Sequence, residues 1–335
     1  MKSQQAANRP DNTAFTQQRL PAWQPMLSAH FVIPGFLLIG MAFIGIGVAL
    51  YITSQNIQVL EKDYTGTGQY TACSECADMQ TIPCICNVTF SLTTLFTGPV
   101  FLYYGLSNYY QNYRKYQVSR DDVQLWGDVT KSPADACAPY QYIDNKPIAP
   151  CGSIANSMFN DTFSLYQIIN GTMKLVPLDG KGIAWWTDYN IKFRNPSAQG
   201  SLQDAFNGTM KPVNWSKPAY ELNPSDMNDN GFLNQDFLVW MRTAALPDFQ
   251  KLYRRITSGD YALGLPPGDY VLQIEYNYAV KDFGRKKVVF SNVTWMGGKN
   301  EFLGVAYIVV GSLCLVMSVV MLVVYAKYKF ADENA

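Results

Sequence analysis

Six Asn-x-Ser/Thr triplets, seven cysteines and a single histidine carry most of the chemistry this 335-residue chain offers. The triplets begin at Asn87, Asn160, Asn170, Asn207, Asn214 and Asn292, all between two long uncharged runs. One or two such triplets arise by chance. Six confined to one segment point to a domain that meets the N-glycosylation machinery on the lumenal or extracellular side of a membrane. Asn214 and Asn292 are the poorest acceptors: Trp215 fills the middle position of one, and the other lies close to the second uncharged run.

Cys73, Cys76, Cys84 and Cys86 form a cluster, Cys137 and Cys151 a second pair, and Cys314 sits inside the second uncharged run as a buried free thiol. Six cysteines in an oxidising compartment read as disulfides, with fifteen pairings open. A four-cysteine zinc site is the rival, but Cys84-x-Cys86 is tighter than the usual ligand pair. A Cys84–Cys86 bond would be strained, so the cluster is expected to pair across itself. Nested Cys73–Cys86 and Cys76–Cys84 bonds would make a two-runged hairpin, with Cys137–Cys151 closing a separate loop. Each short loop closed this way contributes roughly 2–4 kcal/mol.

Catalytic motifs are sparse. His30 is the only histidine and lies at the edge of the first uncharged run, so His-based triads and the His-Glu-x-x-His zinc motif are absent from the segment between the runs. No Gly-x-x-x-x-Gly-Lys-Ser/Thr phosphate loop occurs. Asp226-Met-Asn-Asp-Asn-Gly231 begins like a calcium loop, but its twelfth position is Phe237 rather than Glu. An Asn/Asp turn capping a helix at Phe237 explains the same residues. Asp121-Asp122 reads as a solvated loop, and Trp185-Trp186 as buried strand aromatics. No cofactor and no metal are expected.

The elements that carry these residues follow from hydropathy. Residues 31–52 and 303–326 hold no charge and exceed the roughly 20 apolar residues that cross a bilayer as a helix. The first begins too far in, and runs too long, for a cleaved signal peptide. The expected organisation is a tail of residues 1–30, a span 31–52, a domain 53–302, a span 303–326 and a tail 327–335. Lys2, Arg9 and Arg19 precede the first span and Lys327 and Lys329 follow the second, which favours both ends in the cytosol. Lys+Arg and Asp+Glu both count 26, so no basic excess suggests nucleic acid. Neither span holds an ionisable carboxylate, Lys, Arg or His, leaving no proton relay.

Within the middle domain, residues 270–278 alternate, with Tyr270, Leu272, Ile274, Tyr276 and Tyr278 on one face, as a half-buried strand does. Residues 288–295 read as its hairpin partner across Lys281, Asp282 and Gly284. Residues 99–104 and 182–186 are further strands. Phe237, Trp240, Met241, Ala244 and Ala245 repeat with helical spacing, interrupted at Pro247 and resumed at Phe249, Leu252, Tyr253 and Ile256. Leu106, Tyr109, Tyr110 and Tyr113 fit a short helix or a strand. The sum is one mainly antiparallel β domain with short helices, stapled by disulfides.

Arg9-Pro-Asp-Asn-Thr-Ala-Phe-Thr-Gln-Gln-Arg-Leu-Pro-Ala-Trp-Gln-Pro25 strongly resembles the cell cycle control protein 50 family. So do Tyr103-Tyr-Gly-Leu-Ser-Asn108, Ser119-Arg-Asp-Asp122, Lys146-Pro-Ile-Ala-Pro-Cys-Gly152, Ile154-Ala-Asn-Ser-Met-Phe-Asn-Asp161, Gly182-Ile-Ala-Trp-Trp-Thr-Asp188, Trp240-Met-Arg-Thr-Ala-Ala-Leu-Pro247 and Trp295-Met-Gly-Gly-Lys-Asn300. The blocks keep one order over about residues 8–328. The resemblance implies a non-catalytic β-subunit of type IV P-type ATPases, the phospholipid flippases. It implies two transmembrane helices with cytosolic ends, a glycosylated β-sandwich-like ectodomain and the nested disulfides. It also implies a role in export of the ATPase from the endoplasmic reticulum, with residence in the secretory pathway and plasma membrane. The rival class is a stand-alone receptor or adhesion ectodomain. Partner contacts are expected from the tail, through Arg9, Pro10, Asp11, Asn12, Phe15, Arg19 and Trp23, its prolines holding it extended as a strap. They are expected also from the small-residue face of Gly304 and Gly311, which leaves room for a partner helix. In the first span Gly35, Gly40, Gly45 and Gly47 would leave similar grooves.

Overall fold

A computed structural model describes residues 11–21, 28–68, 72–78, 84–197, 200–280 and 284–333. Contacts divide the chain into two units, one holding both apolar helices and the other spanning Gln55–Lys299.

The first unit is built on two long helices, Ala29–Gln55 (α1) and Glu301–Glu333. Both are long and apolar enough to cross a membrane. Their buried small residues recur every seven positions, Gly40, Gly47 and Ser54 on one helix and Gly304, Gly311 and Ser318 on the other. A seven-residue repeat keeps one seam facing a neighbour. Each helix fills the other's seam. A Cβ at Gly311 would stand 2.9 Å from the Gly40 carbonyl oxygen, and one at Gly47 would stand 3.0 Å from that of Gly304. Ser318 Oγ donates to the Ile33 carbonyl at 3.2 Å, and Tyr325 meets His30 at 3.2 Å.

The second unit contains twelve strands among its described residues. In chain order they are β1 (Val59–Asp63), β2 (Cys84–Leu92), β3 (Phe96–Thr97), β4 (Val100–Ser107), β5 (Tyr142–Ile143), β6 (Lys146–Pro147), β7 (Thr162–Ile169), β8 (Thr172–Val176), β9 (Phe249–Ile256), β10 (Gly264–Leu265), β11 (Gly268–Tyr276) and β12 (Arg285–Asn292). Two four-stranded antiparallel sheets run β1-β12-β4-β9 and β2-β11-β7-β8, with β3–β10 and β5–β6 as short pairs. Their inner faces meet in one core: Phe90 of β2 packs on Phe290 of β12 at 5.2 Å, and Phe163 of β7 meets Tyr253 of β9 edge-on at 4.8 Å. The short helices lie in the connections between strands, the longest of them Gln235–Met241, which Asn234 caps by accepting the Phe237 amide at 3.1 Å.

The alternation over 270–276 marks β11, whose Tyr270, Leu272, Ile274 and Tyr276 are buried. Its expected hairpin with the next strand does not form. β12 belongs to the opposite sheet, so the connection crosses from one layer to the other. The inward residues of β12 are Lys286, Val288 and Phe290, while Trp295 lies beyond the strand and is exposed. The helical reading of residues 249–256 also fails, because this segment is β9. A bulge explains the deceptive spacing: Leu102 pairs with Arg254 and Tyr103 with Leu252, leaving Tyr253 as the extra residue. An extra residue shifts the inward phase, so Tyr253 and Ile256, three apart, both face the core. Residues 182–186 form no strand, and Leu106 belongs to β4 while Tyr113 opens the short helix Arg114–Gln117.

Candidate functional site

The structure pairs Cys73 with Cys86 and Cys76 with Cys84, at Cα separations of 5.4 and 5.5 Å. Local periodicity makes the double bridge possible. Cys84 and Cys86 sit two apart on β2 and so point to one side of the strand. Cys73 immediately precedes the helix Ser74–Asp78 and Cys76 lies in its first turn, the Ala77 amide donating to the Cys73 carbonyl at 3.0 Å. No thiolate remains in this cluster for zinc. Cys137 pairs with Cys151 in a small separate core with Ile148. Gly152, next to that bridge, has φ +98°, and a Cβ there would stand 2.1 Å from the Ser119 carbonyl oxygen, so the position admits only glycine without movement.

The sequon asparagines differ in accessibility. Asn87 lies on the outer side of β2, Asn170 on the β7–β8 hairpin tip, Asn207 in a turn, and Asn160 and Asn214 beside a cavity; all five are exposed. Asn292 is buried and engaged. Its Oδ1 accepts the Gln58 amide at 2.9 Å and its Nδ2 donates to the Thr97 carbonyl at 2.9 Å. It ties together three chain segments, and its amide nitrogen has no path to a sugar in this fold.

Several residues take roles other than those expected. Asp121 is buried and caps the helix Asp122–Leu125: Oδ1 accepts the Val123 amide at 2.9 Å and Oδ2 accepts that of Ala134 at 2.9 Å. Trp185 and Trp186 are not buried but 63% and 67% exposed, with the Arg242 guanidinium 4.2 Å over the Trp185 ring. In the Asp226 loop, Asp229 Oδ1 accepts the Gln235 amide at 2.7 Å and Asp226 Oδ1 that of Asn228 at 3.0 Å, so these carboxylates serve backbone turns. Burial raises the Asp229 pKa.

The sequence reading missed the polar centre of the sandwich. Lys286 and Asp161, both wholly buried, pair at 2.7 Å across the two sheets. Asp161 Oδ1 also accepts the amides of Asn277 and Tyr278, each at 2.6 Å, and Oδ2 accepts the Tyr64 hydroxyl at 3.0 Å. The Lys286 ammonium lies 3.1 Å from the Tyr276 ring centroid. Burial pulls the Lys286 pKa down to about 8, and the Asp161 charge opposes that fall. The signal was present: Lys286 shares the inward phase of Val288 and Phe290. Lys251 is a second buried lysine, donating to the carbonyls of Trp240 at 2.7 Å and Arg242 at 2.9 Å at the end of the helix Gln235–Met241. Burial pushes its pKa well down.

Of the expected partner contacts, Arg9, Pro10 and Trp23 lie outside the described residues. Asp11, Asn12, Phe15 and Arg19 belong to a hydrogen-bonded turn rather than an extended strap: Thr16 Oγ1 donates to the Asp11 carbonyl at 2.6 Å and the Arg19 amide to that of Ala14 at 2.7 Å. The Arg19 guanidinium donates to Asn12 Oδ1, while Phe15 is left 77% exposed. Gly304 and Gly311 do not offer a free face; they are spent on the seam with α1, as are Gly40 and Gly47. Gly35 and Gly45 have open space around the Cβ direction.

A family model described as the LEM3 (ligand-effect modulator 3) family / CDC50 family matches residues 50–331. The chain is 56% identical over 340 residues to cell cycle control protein 50B of Homo sapiens, covering 98% of this chain and 97% of that protein. It is 54% identical over 332 residues to cell cycle control protein 50A of Bos taurus, covering 98% and 92%. It is 36% identical over 320 residues to an Arabidopsis thaliana protein named "Putative ALA-interacting subunit 4", covering 94% and 89%. With two apolar helices that precede and follow a disulfide-stapled antiparallel domain in the sequence, and relatives of this identity along nearly its whole length, the chain belongs to the LEM3/CDC50 family.

Proposed function

We propose that this protein is the non-catalytic accessory subunit of a type IV P-type ATPase that flips phospholipids. The observation that carries the reading is family membership along the chain, together with a relative whose name denotes an interacting subunit. The architecture agrees with it: two membrane-crossing helices packed on each other present a preformed pair to a partner, and the domain between them is large enough to bear a wide contact. In this reading both tails are cytosolic, and the domain of residues 53–302 is lumenal or extracellular and glycosylated. The subunit then supports folding of the ATPase, its export from the endoplasmic reticulum and ATP-driven movement of aminophospholipids to the cytosolic leaflet. The tail docks on the cytosolic side of the ATPase, with exposed Phe15 as anchor and Arg9 and Trp23 flanking it.

The test is affinity purification of the tagged chain from native membranes, followed by depletion. A P-type ATPase should co-purify in stoichiometric amount and be retained in the endoplasmic reticulum when the chain is depleted. Stable delivery of the chain to the cell surface with no ATPase attached would overturn the reading in favour of a stand-alone receptor.

A further inference from the structure

A cavity of about 430 Å³ opens on the flank of the sandwich beside β7, β9 and β11. Two sequon asparagines, Asn160 and Asn214, form part of its wall. Its polar groups are fixed in place: Arg254 grips Asp236 through two bonds, at 2.5 and 2.9 Å, and the Glu275 carboxylate is held by the Thr162 hydroxyl at 2.8 Å. Trp215 and Tyr253 supply aromatic surface. A concave site with aromatic walls and a few oriented polar groups is the usual form of a ligand pocket. Asn160 is held in this wall through its backbone. Its carbonyl accepts from Asn277 Nδ2 at 3.2 Å, and its neighbour Asp161 is locked to Lys286, while its exposed side-chain amide stands free.

We propose that this cavity is the seat of the innermost N-acetylglucosamine of an oligosaccharide attached to Asn160. The proposal rests on the lumenal placement of the domain argued above. An acetamido sugar matches the lining, with hydroxyl donors for Glu275 and Asp236 and acceptors for Arg254. Because the sugar is tethered to the wall, docking is intramolecular, and a weak intrinsic affinity suffices at the high effective concentration of a short tether. Thr162 is bonded to Glu275, 113 residues further on, and Asp161 to Lys286, 125 residues further on. A sugar placed on Asn160 while the chain is still open is carried to the cavity as these contacts close.

The experiment uses the full chain carrying Asn214→Gln, made in a glycosylating host and digested in its native state with peptide-N-glycosidase F. Site-by-site release is followed by mass spectrometry. Asn170 and Asn207 should be released freely, and Asn160 about tenfold more slowly, the protection given by about 1.4 kcal/mol of docking. Filling the cavity with Val239→Phe, or separately with Leu252→Phe, should raise release at Asn160 towards the rate at Asn170. Thermal unfolding of each variant shows that the domain is still folded. Equal rates at Asn160 and Asn170 in the parent, or slow release that filling leaves unchanged, would overturn the proposal, as would an unmodified Asn160 beside modified Asn170 and Asn207. If none of the three sites carries sugar, the lumenal placement itself is wrong and the docking falls with it.

Discussion

Replacing Lys286 with Met should be among the most damaging single changes in the domain. The side chain is wholly buried, and its removal leaves Asp161 as a carboxylate between two sheets without a counter-ion. Breaking one side of a buried pair costs about 3–5 kcal/mol. The two amides and the Tyr64 hydroxyl that still reach Asp161 place the expectation at the lower end, about 3 kcal/mol. At about 2–4 °C per kcal/mol for a domain of this size, the melting temperature should fall by roughly 10 °C. Asp161→Asn, which leaves the Asn160 triplet intact, should cost a similar amount because its amide would face the ammonium. The double change should cost less than the two singles together, by about 2 kcal/mol, since neither charge is then left alone. The pH dependence has a definite sign. The pKa of Lys286 is 10.5 when free and about 8 when folded. Between these values the unfolded state holds the extra proton, so this residue makes stability rise with pH; below about 8 it adds no slope. The assay is melting of the full chain in detergent, followed by tryptophan fluorescence from pH 6 to pH 10. Lys251 supplies part of the rise above pH 8 in parent and variant alike, so the test is its steepness: a rise as steep in Lys286→Met as in the parent, melting within about 2 °C of the parent, or an additive double change would each refute this account.

Three further outcomes are expected. Gly311→Leu should force the two apolar helices apart, since even a Cβ would stand 2.9 Å from the Gly40 carbonyl oxygen; with Cys314 replaced by Ala, cross-linking between cysteines placed at Phe43 and Tyr307 should fall severalfold while membrane insertion is kept. Asn292→Gln should leave the electrophoretic mass unchanged yet lower stability by about 1–3 kcal/mol, because the hydrogen bonds to Gln58 and Thr97 are lost; a mass shift equal to one oligosaccharide would contradict the buried placement. Cys137→Ala should free the Cys151 thiol to alkylation on unfolding and cost about 3 kcal/mol from a loop of 14 residues, measured by denaturant titration.

Elements governed by local periodicity could be read directly from the residues. The two uncharged runs become helices long enough for a bilayer, because hydropathy along a helix requires no knowledge of its neighbours. The alternation of Tyr270, Leu272, Ile274 and Tyr276 becomes the inner face of β11 for the same reason. What depends on a distant partner was not legible. Whether β12 joins β11 or crosses to the other sheet is decided by which strand it pairs with, and β4 lies far away in sequence. The bulge at Tyr253 exists only against β4, and it made a strand imitate the spacing of a helix. Seven-residue spacing marked Gly304 and Gly311 as a contact face, but only the packed pair of helices shows that α1 occupies it. Trp185 and Trp186 follow buried Ile183, yet hydropathy alone placed them inside, and the fold turns them out. Lys286 is the sharpest case: its phase on the strand was plain, but a charge at the core is tolerable only with Asp161 opposite, and that pairing arises when the two sheets close.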